Sequence, residues 1–153
     1  MKKMILCLAV LASFTVVNAQ QLNDKGFYID SEGGLFTGTI TSIKNNIKNE
    51  LAVKEGIISG TANYYYASGK LMESGVFENG QKDKQWLRYN ENGTTSAIAF
   101  YSLGKKTGTW LVYDETGKKR FEMNYENGSK TGLWTNWDEN GTIVSTKNYA
   151  SVN

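Results

Sequence analysis

One pattern returns every 24 residues: Gly60, Lys84, Gly108 and Gly132 each open a short aromatic stretch that ends in a turn. The four segments read GTANYYYASGK, KQWLRYNENGT, GTWLVYDETGK and GLWTNWDENGT. Self-similarity at a fixed period of this length marks a chain built by stacking one small unit, each copy covering the apolar face of the next.

Each unit reads as two strands and two turns. Strand A carries Trp86/Tyr89, Trp110/Tyr113 and Trp134/Trp137, with Ala62 and Tyr65 in the first copy. A glycine turn follows at Ser68-Gly69, Asn92-Gly93, Thr116-Gly117 and Asn140-Gly141. Strand B ends on Phe77, Tyr101, Tyr125 or Tyr149, before a second turn at Asn79-Gly80, Leu103-Gly104 or Asn127-Gly128. Glycine supplies the positive φ of tight hairpins, and Asn-Gly is their strongest short signal. A degenerate copy comes earlier: Gly38 to Ile43 resembles strand A and Ile47 to Gly56 resembles strand B. Val53 and Gly56 lie 24 residues before Phe77 and Gly80, whereas Gly38 precedes Gly60 by 22, so the intervening turn is predicted two residues shorter.

These elements predict an all-β fold: consecutive antiparallel hairpins forming one elongated, twisted sheet, a hairpin solenoid. At ~4.8 Å per strand, five units make a ribbon on the order of 45–50 Å long. No helical pattern is present to cover the sheet, so the aromatic columns 62/86/110/134, 65/89/113/137 and 77/101/125/149 are assigned to packing. Trp at i and Tyr at i+3 have opposite parity in an ideal strand. Either the aromatics clothe both faces, or a bulge restores them to one. Phe27-Tyr28-Ile29 and Lys147 to Asn153 are the expected end caps.

The first residues have a different character. Lys2 and Lys3 precede an apolar run from Met4 to Val17 and a small-residue site at Val17-Asn18-Ala19. This is the three-part pattern of a secretory signal peptide, favoured over a buried helix because all three parts are present. The expected organisation is a cleaved signal at 1–19, a lead-in or cap at 20–35 and repeats over 36–153. The repeats divide at about 36–59, 60–83, 84–107, 108–131 and 132–153. The destination is the periplasm, the cell envelope or the exterior. Cys7 leaves with the signal, so the mature chain has no Cys, His or Pro. It would carry 15 basic and 15 acidic residues, because only Lys2 and Lys3 are removed from 17 and 15. That balance argues against nucleic acid as a partner.

The absence of His and Cys removes Ser-His and Cys-His nucleophiles and His- or Cys-ligated zinc. No metal or other cofactor is expected. Glu78, Glu91, Asp114, Glu115, Glu126, Asp138 and Glu139 sit beside turn glycines, where carboxylates are solvated or support the turn, rather than forming a glycosidase-like pair. No catalytic residue is assigned, and the chain is not expected to be an enzyme. Two charge rows follow the period: Lys82, Lys106 and Lys130 before strand A, and Glu91, Glu115 and Glu139 beside the first turn. Superposed copies would give the ribbon edges of opposite sign. The lysine row reads either as solubilising charge or as a binding edge for anionic headgroups or an acidic partner. The aromatic columns read as packing before they read as a stacking surface for glycans or peptides. Trp137, which replaces the Tyr of its column, is the position to watch for a partner. Asn-Gly-Ser/Thr triplets at Asn92, Asn127 and Asn140 match a glycosylation sequon but coincide with repeat turns.

The combination Gly-x-Trp-x-x-Tyr-x-x-x-Gly, then an aromatic and Asn-Gly-x-x-x-Gly, resembles the bacterial MORN-repeat variant. Lys106 to Gly132 is the best copy, and the resemblance covers about residues 36–150. It implies a hairpin solenoid with structural glycines at Gly56, Gly80, Gly104 and Gly128 and no catalytic residues of its own. Relatives serve as binding or scaffold modules; some eukaryotic members are linked to membranes and phospholipids, and many bacterial ones are labelled antitoxin-like. Lys84 in place of Gly and Ala62 in place of Trp depart from the pattern. The reading is an exported, non-enzymatic scaffold for an unidentified protein or envelope component. The alternatives are neutralisation of a toxic partner, and binding of lipid or glycan.

Overall fold

The structure is a computed structural model and describes residues 21–150. The signal-peptide assignment at 1–19 falls outside the described residues. A small hairpin of β1 (Gln21–Leu22) and β2 (Tyr28–Ile29) leads in. Ten longer strands follow: β3 (Gly38–Lys44), β4 (Ile47–Lys54), β5 (Ile57–Tyr65), β6 (Leu71–Glu78), β7 (Gln81–Tyr89), β8 (Thr95–Ser102), β9 (Lys105–Tyr113), β10 (Lys119–Glu126), β11 (Ser129–Trp137) and β12 (Ile143–Tyr149). They lie side by side in chain order in one antiparallel sheet with edges at β3 and β12. This is the predicted succession of hairpins.

The residue that opens each repeat lies inside a strand, not at its start. Gly75 of β6 faces three residues of β7, because Ser74 pairs with Leu87 while Val76 pairs with Asp83. The same three-against-one bulge recurs at Ala52, Ala99 and Met123. Gly60, Lys84, Gly108 and Gly132 each fall within the long side, with φ of 112°, 59°, 63° and 58°. Glycine recurs there because L side chains rarely adopt that backbone. Lys84 keeps the conformation without the glycine.

Both turns recur as built units. Glu55-Gly56, Asn79-Gly80, Leu103-Gly104 and Asn127-Gly128 have positive φ at both residues, the two-residue hairpin that matches strand twist. The glycine N–H reaches back to the preceding unit: Gly80 donates to the Ile58 carbonyl at 2.7 Å, Gly104 to Lys82 at 2.8 Å and Gly128 to Lys106 at 2.8 Å. The five-residue turns at 66–70, 90–94, 114–118 and 138–142 are closed from the first N–H to the fifth carbonyl at 2.8–3.0 Å. In two of them Asp114 and Asp138 use Oδ1 to accept backbone N–H groups two and four residues on. Asn23 and Asp30 do the same in the lead-in, a turn signal the sequence reading passed over. Between β3 and β4 only Asn45-Asn46 remains, again with positive φ at both residues.

A second bulge decides where the aromatics point. Arg88 pairs with Ala97 and Tyr89 with Thr95, leaving Ser96 over. Met72, Arg120 and Val144 are left over in the same way. The extra residue is always on strand B, so strand A keeps its alternation. Trp86 and Arg88 therefore share one face, here called the front, while Leu87 and Tyr89 share the back. The aromatics clothe both faces.

The core sits towards the N-terminal end. Ile40, Leu51, Val53, Ala62 and Trp86 are buried, and among the described residues no other hydrophobic is. Ala62 stands opposite Gly75 and is wholly buried, so two small residues make the space that the Trp86 ring fills. The lead-in closes this end: Tyr28 N–H donates to the Gly56 carbonyl at 2.8 Å, and Gly56 N–H donates to Phe36 at 2.8 Å.

Candidate functional site

The front face carries one unbroken aromatic ladder. Phe77, Trp86, Tyr101, Trp110, Tyr125, Trp134 and Tyr149 follow one another with centroid separations of 5.1, 6.4, 5.1, 5.0, 5.2 and 5.0 Å. The rings are tilted or edge-on, the arrangements that π quadrupoles favour. Each indole is pinned by its N–H. Trp86 donates to the Val76 carbonyl at 3.1 Å, Trp110 to Phe100 at 3.0 Å and Trp134 to Asn124 at 3.0 Å. Trp86 is buried, whereas Trp110 and Trp134 keep part of their surface exposed. Burial raises the Tyr101 phenol above the usual tyrosine range, with the Glu73 charge adding to it.

The three periodic lysines belong to this ladder and not to a turn-lined edge. They lie inside β7, β9 and β11, paired across the sheet with Phe77, Tyr101 and Tyr125. Lys82 Nζ stands 3.7 Å from the Trp86 ring centre, Lys106 Nζ 4.4 Å from Trp110, and Lys130 Nζ 4.5 Å from Trp134. Each also approaches the next tyrosine of the ladder, at 4.9–5.4 Å. At these distances the ammonium is held by the ring quadrupole. The expectation of oppositely charged ribbon edges is thereby corrected, because parity turns the lysines onto a face. The glutamate row does lie along the five-residue turns, but its backbone is what the neighbours use. Lys70 Nζ donates to the Glu91 carbonyl at 2.7 Å, Asn92 Nδ2 to Glu115 at 3.1 Å and Lys118 Nζ to Glu139 at 2.8 Å.

Trp137 is not brought together with these lysines. It lies on the back face in the column of Tyr65, Tyr89 and Tyr113, with Lys119 Nζ 4.3 Å above its ring. Tyr65 is tied to Glu50, its hydroxyl donating to Oε2 at 2.9 Å, and Lys48 lies 5.2 Å from its ring.

A groove interrupts the front face at β8. That strand offers it only Ala97 and Ala99, where the copy 24 residues on has Phe121 and Met123. The resulting hollow is about 470 Å³, walled by Arg88 on one side and by Trp110, Val112 and Met123 on the other, with Lys82 and Lys106 at the end nearer Tyr101. Glu73 Oε1 lies 2.6 Å from Lys82 Nζ. Arg88 is opposite Glu73 in register, yet no ion pair joins them among the described residues. Sequence reasoning missed Arg88, Ala97 and Ala99. Their columns vary from copy to copy (Tyr64/Arg88/Val112/Asn136, Glu73/Ala97/Phe121/Ser145 and Gly75/Ala99/Met123/Lys147), so the period carries no signal for them.

The sequence model of one family, the MORN repeat variant, matches residues 59–80, 106–127 and 130–150. No curated protein matches the chain. The copy that opens at Lys84, lying between the matched stretches, has the same strands, bulges and turn. This copy has Lys84 and Leu103 where Gly108 and Asn127 stand in the next.

Proposed function

From the premise that this chain belongs to the MORN repeat variant family, we propose that it is an exported, non-enzymatic binding module for another protein or component of the cell envelope. The observation that carries this reading is the front face between β7 and β11. Packing fixes its rings and cations, yet from Trp110 onward they stay partly open to solvent. Pre-ordered aromatic and cationic side chains lose little freedom on binding and dominate many interfaces. Export is supported by Lys2 and Lys3, the apolar run from Met4 to Val17 and the Ala19 site.

The same surface serves neutralisation of a toxic partner if that partner is what it captures. Lipid or glycan binding is the further alternative for the same face. Crosslinking of the full-length protein in its native envelope, followed by mass spectrometry, tests the proposal. One reproducible partner crosslinked through β7–β11 is expected. Crosslinks scattered over both faces with no recurring partner would defeat it. N-terminal sequencing of the secreted product checks cleavage after Ala19.

A further inference from the structure

We propose that the groove over Ala97 and Ala99 recognises an acidic stretch of polypeptide carrying a large apolar side chain. The inference rests on the binding-module reading and names the site and the partner's chemistry.

The floor carries the Ala97 and Ala99 methyl groups, and the wall opposite Arg88 is formed by Trp110, Val112 and Met123. Such a surface gains by covering an apolar side chain. Sugar stacking would need a free ring face, and Lys106 already stands over Trp110 and Tyr125 at 4.4 and 4.9 Å. A hollow set into the sheet also receives a side chain better than it meets a flat bilayer.

Charge selects the flanking residues. Lys82 and Glu73 neutralise one another at 2.6 Å. Arg88 and Lys106 line the same groove, and no carboxylate is ion-paired with either among the described residues. Two cations without a carboxylate partner, Arg88 on one wall and Lys106 at the Tyr101 end, complement carboxylates placed on either side of an apolar residue. The next copy does not repeat the groove, because Phe121 and Met123 occupy the corresponding positions.

A random dodecapeptide display library selected on the full-length protein tests this. Enriched peptides are expected to carry Asp or Glu on both sides of Leu, Phe, Met or Trp. A synthetic peptide of that consensus should bind in fluorescence anisotropy and weaken as salt is raised. Ala97→Trp, which fills the floor, and Arg88→Glu, which reverses an exposed charge, should each weaken it at least tenfold. Because Ala97→Trp could disturb the sheet, both variants are compared with the parent by circular dichroism, and Arg88→Glu alone suffices if the first does not fold. Enrichment of basic or purely polar peptides overturns the inference. So does consensus binding unchanged in Arg88→Glu, which would leave a binding module with its site elsewhere. Preferential binding to anionic phosphatidylglycerol vesicles over the consensus peptide overturns it in favour of a lipid surface. Failure of any library to enrich, together with no recurring crosslinked partner, overturns the module reading as well.

Discussion

The Trp86 ring lies directly over the backbone of Gly75, and a Cβ on Gly75 would run into its fused-ring atoms. Gly75 does not have positive φ, so its side chain is excluded by the ring and not by the backbone. Gly75→Ala should therefore destabilise by about 1–3 kcal/mol through overpacking. Trp86→Ala should cost about 3–5 kcal/mol, since it empties the core that Ile40, Leu51, Val53 and Ala62 share. Urea unfolding of both variants checks this. Gly75→Ala with parental stability would show that the ring is free to move.

Two departures from the repeat hold strained backbone. Lys84 has φ 59° where Gly108 and Gly132 serve, and Leu103 has φ 46° where Asn79 and Asn127 serve. Left-handed backbone costs a non-glycine residue about 1–2 kcal/mol, less for asparagine. Lys84→Gly is expected to stabilise by roughly 0.5–1 kcal/mol, the relief being partly offset by the unfolded-state entropy of glycine. Leu103→Asn should stabilise by a similar ~0.5–1 kcal/mol and removes an exposed apolar side chain. Thermal and urea midpoints of the single and double variants measure this. Lys84 pairs with Tyr101, and Leu103 N–H donates to Asp83 Oδ1 at 3.1 Å, so the two sites are neighbours and the double variant measures their coupling.

How much could be read in advance depends on what the period records. The hairpins were legible because Asn79-Gly80 and Asn127-Gly128 announce their own geometry and the spacing sets the register. The destination of the lysines was not legible. Lys82, Lys106 and Lys130 look like turn residues until the bulge at Gly75, Ala99 and Met123 places them within strands. That bulge changes the pairing count by two and leaves parity intact, so composition gives no hint of it. The recurring glycine announced a special backbone position, but whether it began a strand or interrupted one depended on the partner strand. The groove escaped for a related reason. Ala97 and Ala99 are unremarkable strand residues, and their meaning comes from Phe121 and Met123 two strands away.

Alkaline pH should unfold the ladder. Burial raises the Tyr64, Tyr101 and Tyr125 phenols above the usual tyrosine range, with Glu73 adding to the first two. A raised folded-state pKa means that the neutral phenol is favoured in the fold. Their contribution is fully present below the unfolded tyrosine pKa of about 10 and is lost as pH rises through the folded values. Denaturant midpoints should be level in this respect below that range and fall above it. Tyr101→Phe should make the fall shallower, and phenolate absorbance should report a late-titrating class that disappears on unfolding. A midpoint independent of pH in that window would contradict the assignment.

The Asn-Gly turns form an internal control for spontaneous deamidation, in which the glycine nitrogen attacks the asparagine side-chain carbonyl, ammonia leaves, and water opens the succinimide to aspartate or isoaspartate. At Asn79 and Asn127 the next glycine N–H is held by a carbonyl of the preceding unit, at 2.7 and 2.8 Å, and the asparagine φ is fixed near the left-handed region at 47° and 48°. At Asn92 the side chain is engaged at both ends: Nδ2 donates to the Glu115 carbonyl at 3.1 Å, and Oδ1 accepts from Thr94 N–H at 2.9 Å and Oγ1 at 2.6 Å. The Asn140 side chain takes part in none of the hydrogen bonds among the described residues, and Gly141 N–H makes a longer bond, 3.2 Å, to Asp138. Asn140 should therefore convert first on storage at mildly alkaline pH, Asn92 more slowly, and Asn79 and Asn127 last. Peptide mapping by mass spectrometry over a time course reads all four in one sample. Unfolding in urea should erase the ranking, because it then depends only on the shared Asn-Gly sequence; a ranking unchanged by urea would place its cause in the flanking residues and not in the fold.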